Sequence, residues 1–139
     1  MADIIQWNIR SLKVESKSFF KIKKCTEKLE DLAKTNILSI QETHLLSDDE
    51  IPKRLKNFDH LYHIKASHAT PTDKGAGIIL FINKTEEVLN SDEISPGRLI
   101  YIKIKNKITD DIRNIFSFYA KSRASKTEIK KIISAIQQK

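Results

Sequence analysis

Cysteine occurs once in 139 residues, tryptophan once, and glycine and proline three times each. The lone Cys25 excludes an internal disulfide framework and a cysteine-rich zinc fold. So little glycine and proline, beside 40% hydrophobic residues, excludes collagen-like repeats and global disorder. No apolar run approaches the roughly 20 residues of a membrane span. The opening Met1-Ala2-Asp3-Ile4-Ile5-Gln6-Trp7 lacks a basic n-region and a long apolar h-region, so no secretory signal is expected. Internal repeats, low-complexity segments and Gly/Ser linkers are missing too. The expectation is one soluble α/β domain from a reducing compartment, or a piece of such a domain.

Positive charge is plentiful. Lysine and arginine number 25 against 18 acidic residues, a net of +7. The excess is uneven: residues 1–70 carry +2 and residues 71–139 carry +5. Residues 112–139 hold seven basic side chains against Glu128 alone. Such a field attracts polyanions, nucleic acid first among them. A solvated, solubilising helix face would show the same composition.

Ile4, Ile5 and Trp7 read as a short buried strand. A helix is expected over about Ser18 to Lys34, because Ile22, Cys25, Leu29 and Leu32 recur on one face. Cys25 on that face reads as a small buried hydrophobe. Asn36-Ile37-Leu38-Ser39-Ile40 reads as a second strand, completing a parallel strand–helix–strand crossover. Ser47-Asp48-Asp49-Glu50 predicts a helix start capped by Ser47, with the acids compensating the helix dipole and Pro52 limiting its continuation. Four more strands are expected around Leu61–Lys65, Ile78–Ile82, Leu99–Lys105 and Ile115–Tyr119. In the third, Ile100, Ile102 and Ile104 alternate with Tyr101, Lys103 and Lys105, one buried face and one wet. Ser125-Lys126-Thr127-Glu128 forms a capping box before Ile129, Ile132, Ile133 and Ile136, a closing amphipathic helix.

Asn8 and Glu42 each sit just past the end of a predicted parallel strand. Adjacent parallel strands deliver their carboxyl ends to one rim, where ligands of open α/β sheets bind. An amide and a carboxylate there offer hard oxygen ligands suited to Mg²⁺ or Mn²⁺. Read from spacing alone, Glu42 as a surface acid and Asn8 as a turn former is the favoured reading.

Ile5-Gln6-Trp7-Asn8-Ile9-Arg10-Ser11-Leu12 and Ile37-Leu38-Ser39-Ile40-Gln41-Glu42-Thr43-His44-Leu45 resemble the opening of the endonuclease/exonuclease/phosphatase superfamily. The Gln-Glu-Thr-His-Leu form is most similar to the apurinic-endonuclease-like domain of LINE-type (non-LTR) retrotransposons. Gly75-Ala76-Gly77-Ile78-Ile79-Leu80-Phe81-Ile82, Gly97-Arg98-Leu99-Ile100-Tyr101-Ile102 and Phe116-Ser117-Phe118-Tyr119-Ala120 follow in the family's order, so the resemblance spans nearly the whole chain. It implies an α/β (α+β) fold, part of a four-layer α/β/β/α sandwich. It also implies a divalent-metal-dependent DNA endonuclease that cleaves phosphodiesters with water and nicks target DNA to prime reverse transcription. Glu42 would hold Mg²⁺, with Mn²⁺ as the alternative ion, and Asn8 would orient the scissile phosphate or the metal's water. Tyr119 matches a strand-end tyrosine that contacts phosphate, while His44 belongs to the signature without a chemical role. The implied partners are DNA, the rest of the endonuclease domain and a reverse transcriptase in the same polyprotein. The implied location is intracellular, nuclear for an active element.

Two departures stand out. Tyr119-Ala120-Lys121-Ser122 lacks the proline and asparagine that follow the tyrosine in the family. No Asp-x-Asn follows Tyr119, and no aspartate at all follows Asp111. In the family these later motifs handle the nucleophile and the transition state, roles that carry much of the rate. The chain is therefore expected to be an amino-terminal portion, 1–139, lacking the carboxy-terminal half and inactive by itself. An apolar sheet face would then lie open.

Lys121, Arg123 and Lys126 follow Tyr119 and are candidate phosphate contacts, or else a solvated loop and helix start. His60-x-x-His63 is not a metal clasp, since residues three apart on a strand face opposite ways. Gly75-Ala76-Gly77 lacks the third glycine and the helix of a dinucleotide loop and reads as a turn into a strand. Trp7 and Phe118 read as core. Beside the retroelement endonuclease stand two alternatives: a non-catalytic nucleic-acid-binding remnant, and a DNA-repair or other phosphoesterase of the same superfamily.

Overall fold

A computed structural model describes residues 4–12, 18–31, 37–119 and 134. Five-residue strands β1 (Ile4–Asn8) and β2 (Ile37–Gln41) flank helix α1 (Ser18–Asp31) and pair in parallel, with Asn8 beside Gln41. The crossover unit is thus formed. Helix α2 (Lys53–Lys56) leads through a short 3-10 turn to β3 (Tyr62–Ser67) and β4 (Ile78–Asn83). Strands β5 (Glu86–Ser95), β6 (Leu99–Asn106) and β7 (Ile112–Phe118) complete the order. The first sheet runs β1-β2-β4-β3 and the second β5-β6-β7.

Strand β4 shows why a continuous apolar run was needed. Ile79 and Phe81 join Leu38 and Ile40 of β2, Cys25 and Leu29 of α1, and Leu55 of α2 in a helix-side core. Ile78, Leu80 and Ile82 face the other way, onto Ile100, Ile102 and Ile104 of β6 and Ile115 of β7. A strand buried on both faces cannot alternate polar and apolar residues. Each buried isoleucine contributes about 1.5–3 kcal/mol of burial free energy. Three layers result among the described residues: helices, first sheet, second sheet.

The open apolar face expected from a missing half is not found there. The second sheet comes from this chain's own residues 86–118, and its isoleucines close the inner face of the first. Polar bonds also cross between the sheets. Ser39 Oγ and Ser117 Oγ lie 2.7 Å apart in the buried interface, and Gln41 Nε2 donates to the Phe118 carbonyl at 3.1 Å. They set β2 over β7 and satisfy groups that would otherwise be costly to bury.

Three expectations need correction. Ser47 precedes only a three-residue 3-10 turn, Asp48–Glu50, and makes no side-chain cap bond. Glu50 Oε1 instead accepts from Leu46 N at 2.8 Å. Pro52 explains the stop, because the residue before a proline is driven to extended backbone, and Ile51 has ψ 125°. Strand β5 is not among the expected strands. It is an edge strand, mostly exposed, and its register shifts twice, between Val88 and Asn90 and between Glu93 and Ser95, erasing the period of two. His60 lies in the 3-10 turn Asn57–His60 rather than on a strand.

Other expectations hold, one of them in part. The β6 isoleucines are buried as expected, but the opposite face is not wet throughout: Tyr101 is buried there too, against Phe116, ring centroids 5.0 Å apart, while Lys103 and Lys105 are half-buried. Cys25 is fully buried, and desolvation pushes its thiol up to about 12 despite the opposing charge of Lys28. Trp7 is half-buried against the helix-side core, with Lys28 Nζ 5.2 Å from its ring centre. Leu32, Lys121, Arg123, Lys126 and the closing helix, apart from Ser134, lie outside the described residues.

Candidate functional site

Parallel pairing of β1 and β2 puts Asn8 and Glu42 at one rim, and the chain continues the ladder past both strands. Ser11 N donates to Glu42 O at 2.7 Å and Leu12 N to Thr43 O at 2.8 Å. Continuing the ladder forces unusual backbone. Arg10, Ser11, Glu42 and His44 all have positive φ, at 56°, 103°, 60° and 62°. Such conformations cost about 1–3 kcal/mol each and gather where surrounding structure over-determines them. Lys21 Nζ reaches back from α1 to the carbonyls of Arg10 and Ser11, at 3.0 and 3.2 Å.

The neighbouring loops lock onto this segment. Thr43 N and His44 N donate to the carbonyls of Gly77 and Ala76, and Gly77 N donates to Gly97 O. Gly77 has φ 120°, and a Cβ there would overlap Thr43 Oγ1. The tight turn into β4 thus requires glycine for close approach, as a turn reading of Gly75-Ala76-Gly77 implies. Ser67 Oγ accepts from Gly97 N and donates to Glu93 Oε1, both at 2.7 Å, tying β3 to the β5–β6 turn.

From the second sheet, Tyr119 follows β7 and its N–H donates to Arg98 O at 2.8 Å. Its hydroxyl donates to Glu42 Oε1. Two of the sequence candidates, 77 positions apart, therefore meet across the two sheets. Asn8 is one strand over; it is exposed, and its Oδ1 accepts from Arg10 N at 3.2 Å. Lys121, Arg123 and Lys126 are not among the described residues.

Sequence reasoning missed the groups behind Tyr119. Arg98 is buried, with 8% exposure, and its guanidinium carbon lies 4.8 Å from the Tyr119 ring centre. Asp73 grips it bidentately, Nε to Oδ2 at 2.9 Å and Nη2 to Oδ1 at 2.7 Å. The available signal was the Gly97-Arg98 pair opening an apolar strand, where a charged side chain must find a partner. A second pair borders the rim, where His68 Nε2 donates to Asp48 Oδ1 at 2.6 Å.

No group of three His, Cys, Asp or Glu gathers among the described residues. Among the described residues, the strand-end donors at this rim are one carboxylate, Glu42, and one amide oxygen, Asn8. That hard, sparse set fits Mg²⁺, which keeps several waters and takes one or two carboxylates, and it does not fit zinc. His60 and His63 are engaged separately, with Asn57 O at 2.6 Å and Glu86 O at 2.9 Å.

No protein-family model and no curated protein matches the chain. Solved structures do match. TDP2 from D. rerio, complexed with single-strand DNA product, superposes with TM-score 0.67 at 17% identity, covering 97% of this chain and 52% of that one. The AP endonuclease LMAP from Leishmania major gives 0.60 at 12% identity, over 96% and 44% of the two chains. The Xenopus laevis APE2 catalytic domain gives 0.54 at 14% identity, over 96% and 49%. This chain has the endonuclease/exonuclease/phosphatase fold. It spans about half the length of the solved structures it matches, and its described residues supply three consecutive layers, α/β/β, of the α/β/β/α sandwich anticipated from the sequence.

Proposed function

We infer that this chain is the amino-terminal portion of a divalent-metal-dependent DNA endonuclease, and that the rim holding Glu42 and Tyr119 is its phosphodiester site. The contact of the Tyr119 hydroxyl with the Glu42 carboxylate carries the reading. The packing of β2 over β7 brings a strand-end acid and a strand-end phenol from two different sheets together at the rim, beside the strand-end amide of Asn8. The fold shared with TDP2 and the AP endonucleases supports the same class of chemistry.

In this reading Glu42, with Asn8 beside it, holds Mg²⁺ or Mn²⁺. When bound, the ion supplies a Lewis acid at the phosphate. The Asn8 amide orients the phosphate, and the Tyr119 hydroxyl donates to one of its oxygens. Lys121, Arg123 and Lys126 contact flanking phosphates. The general base belongs to the remainder of the domain, so this chain alone turns over little substrate. The LINE-type assignment rests on Gln41-Glu42-Thr43-His44-Leu45; it brings with it a reverse transcriptase in the same polyprotein and a nuclear place of action.

The test is Mn²⁺ binding and supercoiled-plasmid nicking by the 139-residue chain, with Mg²⁺, with EDTA and with Glu42→Ala alongside. Mn²⁺ binding that Glu42→Ala abolishes, with weak or no nicking, is the expected result. Unchanged Mn²⁺ affinity in Glu42→Ala would remove the metal site. The net charge of +7 favours a second reading, a non-catalytic nucleic-acid binder. Its mark is DNA affinity that ignores Glu42→Ala and falls steeply with salt.

A further inference from the structure

Arg98 is the most deeply buried charged side chain on the rim, and its hydrogen bonding is incomplete. Nε and Nη2 are both spent on Asp73, whereas Nη1 is buried and has no hydrogen-bond partner among the described residues. A buried cationic donor left unpaired is costly, and folded proteins rarely tolerate one without a use for it. The use is suggested by what lies alongside. The guanidinium stacks on Tyr119, whose hydroxyl touches Glu42, and Tyr119 N is bonded to the Arg98 carbonyl. One residue therefore holds both the backbone and the ring of the tyrosine, and keeps one N–H₂ group in reserve.

We propose that Arg98 Nη1 is a binding donor for an anionic oxygen of a phosphodiester at this rim, and that Asp73 is the positioning residue that orients it. This rests on reading the rim as a phosphodiester site. The division of labour follows from guanidinium geometry. Bidentate pairing with Asp73 fixes the plane of the fork, so the remaining amino group has a set direction, which a lysine at this position would lack. Charge balance agrees: Asp73 neutralises the cation in the free protein, and an arriving phosphate shares it.

The test uses a probe with one phosphate. The ¹⁵N-labelled full chain, with Ca²⁺ present, is titrated with the dinucleotide TpT and with its uncharged methylphosphonate analogue, while the Arg98 Nε–H signal is followed by NMR. TpT is expected to shift that signal, and Arg98→Gln to weaken TpT by about tenfold, the scale of one charged hydrogen bond. The methylphosphonate should bind wild type and variant alike. Asp73→Asn, which keeps the cation and loosens its grip, should weaken TpT less. Equal loss for both dinucleotides would mark Arg98 as structural only and overturn the proposal, as would TpT binding that ignores Arg98→Gln. If Arg98→Gln does not fold, the wild-type signal decides: the same response to both probes overturns the proposal. Glu42→Gln, read by Mn²⁺ broadening, tests the metal reading separately, because loss of the metal site leaves a charge-selective TpT response to be seen or not.

Discussion

The two ends of the sandwich use similar polar residues for different purposes. At the end away from the rim, Asn83 Oδ1 accepts from Thr85 N at 2.9 Å, and Asn106 Oδ1 accepts from Ile108 N and Thr109 N at 2.9 and 3.0 Å. These partners lie two or three residues away, so the bonds form with the turns they close. Glu86, buried there, accepts from Asn106 Nδ2 at 3.2 Å and Arg113 Nη2 at 3.3 Å. Glu86 and Arg113 are 27 positions apart, as far as Asp73 and Arg98 at the rim, 25 apart, so reach alone does not separate the two ends; Glu42 and Tyr119 at the rim are 77 apart. Four of the five non-glycine residues with positive φ among the described residues lie there as well. Local bonds make turns cheaply. Long-range bonds on strained backbone fix a geometry, which is what a site needs and a hairpin does not.

The contrast is open to direct attack. Asp73→Ala is expected to cost most, about 3 kcal/mol, because it leaves the buried Arg98 uncompensated. The matching change at the far end, Glu86→Ala, should cost less, about 1–2 kcal/mol. There Arg113 keeps 29% side-chain exposure and water can take over its charge. Urea unfolding of the two variants measures the difference, and equal losses would erase the distinction between the ends. Gly77→Ala comes next, at about 2–3 kcal/mol, since its φ and the overlap with Thr43 Oγ1 both oppose a side chain. It should also weaken Mn²⁺ binding, because Thr43 follows Glu42, whereas Asn83→Ala at the far end should not.

How much of this was legible in the sequence follows the same division. Asn8 and Glu42 could be placed because two apolar strands and the helix between them give a parallel pair, and parallel strands end together. Tyr119 was found through its block of flanking residues, not through any periodicity. Its meeting with Glu42 depends on how β7 lies over β2, set by Ser39–Ser117 and Gln41–Phe118, and no local pattern encodes that stacking. Arg98 and Asp73 were invisible as a pair for the same reason. Strand β5 was hidden by its two register shifts and its exposure. The sheet-on-sheet core departs from the expected open face because the partner for β4 comes from within the chain, from Ile100, Ile102 and Ile104.

The smallest effect concerns the helix-side core, away from both ends, and it tests whether that core stays closed. Burial raises the Cys25 thiol from 9.0 to about 12. The unfolded chain therefore releases this proton at lower pH than the folded one. The stability this lends is complete below about pH 9 and is lost progressively as pH rises from there toward about 12. At pH 10 the loss is about 1 kcal/mol, which should appear as a lower urea midpoint in wild type and be absent in Cys25→Ala. The same burial predicts alkylation of the folded thiol at pH 8 about a hundredfold slower than in urea. Rapid alkylation without unfolding would mean that α1 separates readily from β2 and β4. The rim would then inherit that motion, because Lys21 of α1 holds the carbonyls of Arg10 and Ser11, and Ser11 N is bonded to the carbonyl of Glu42.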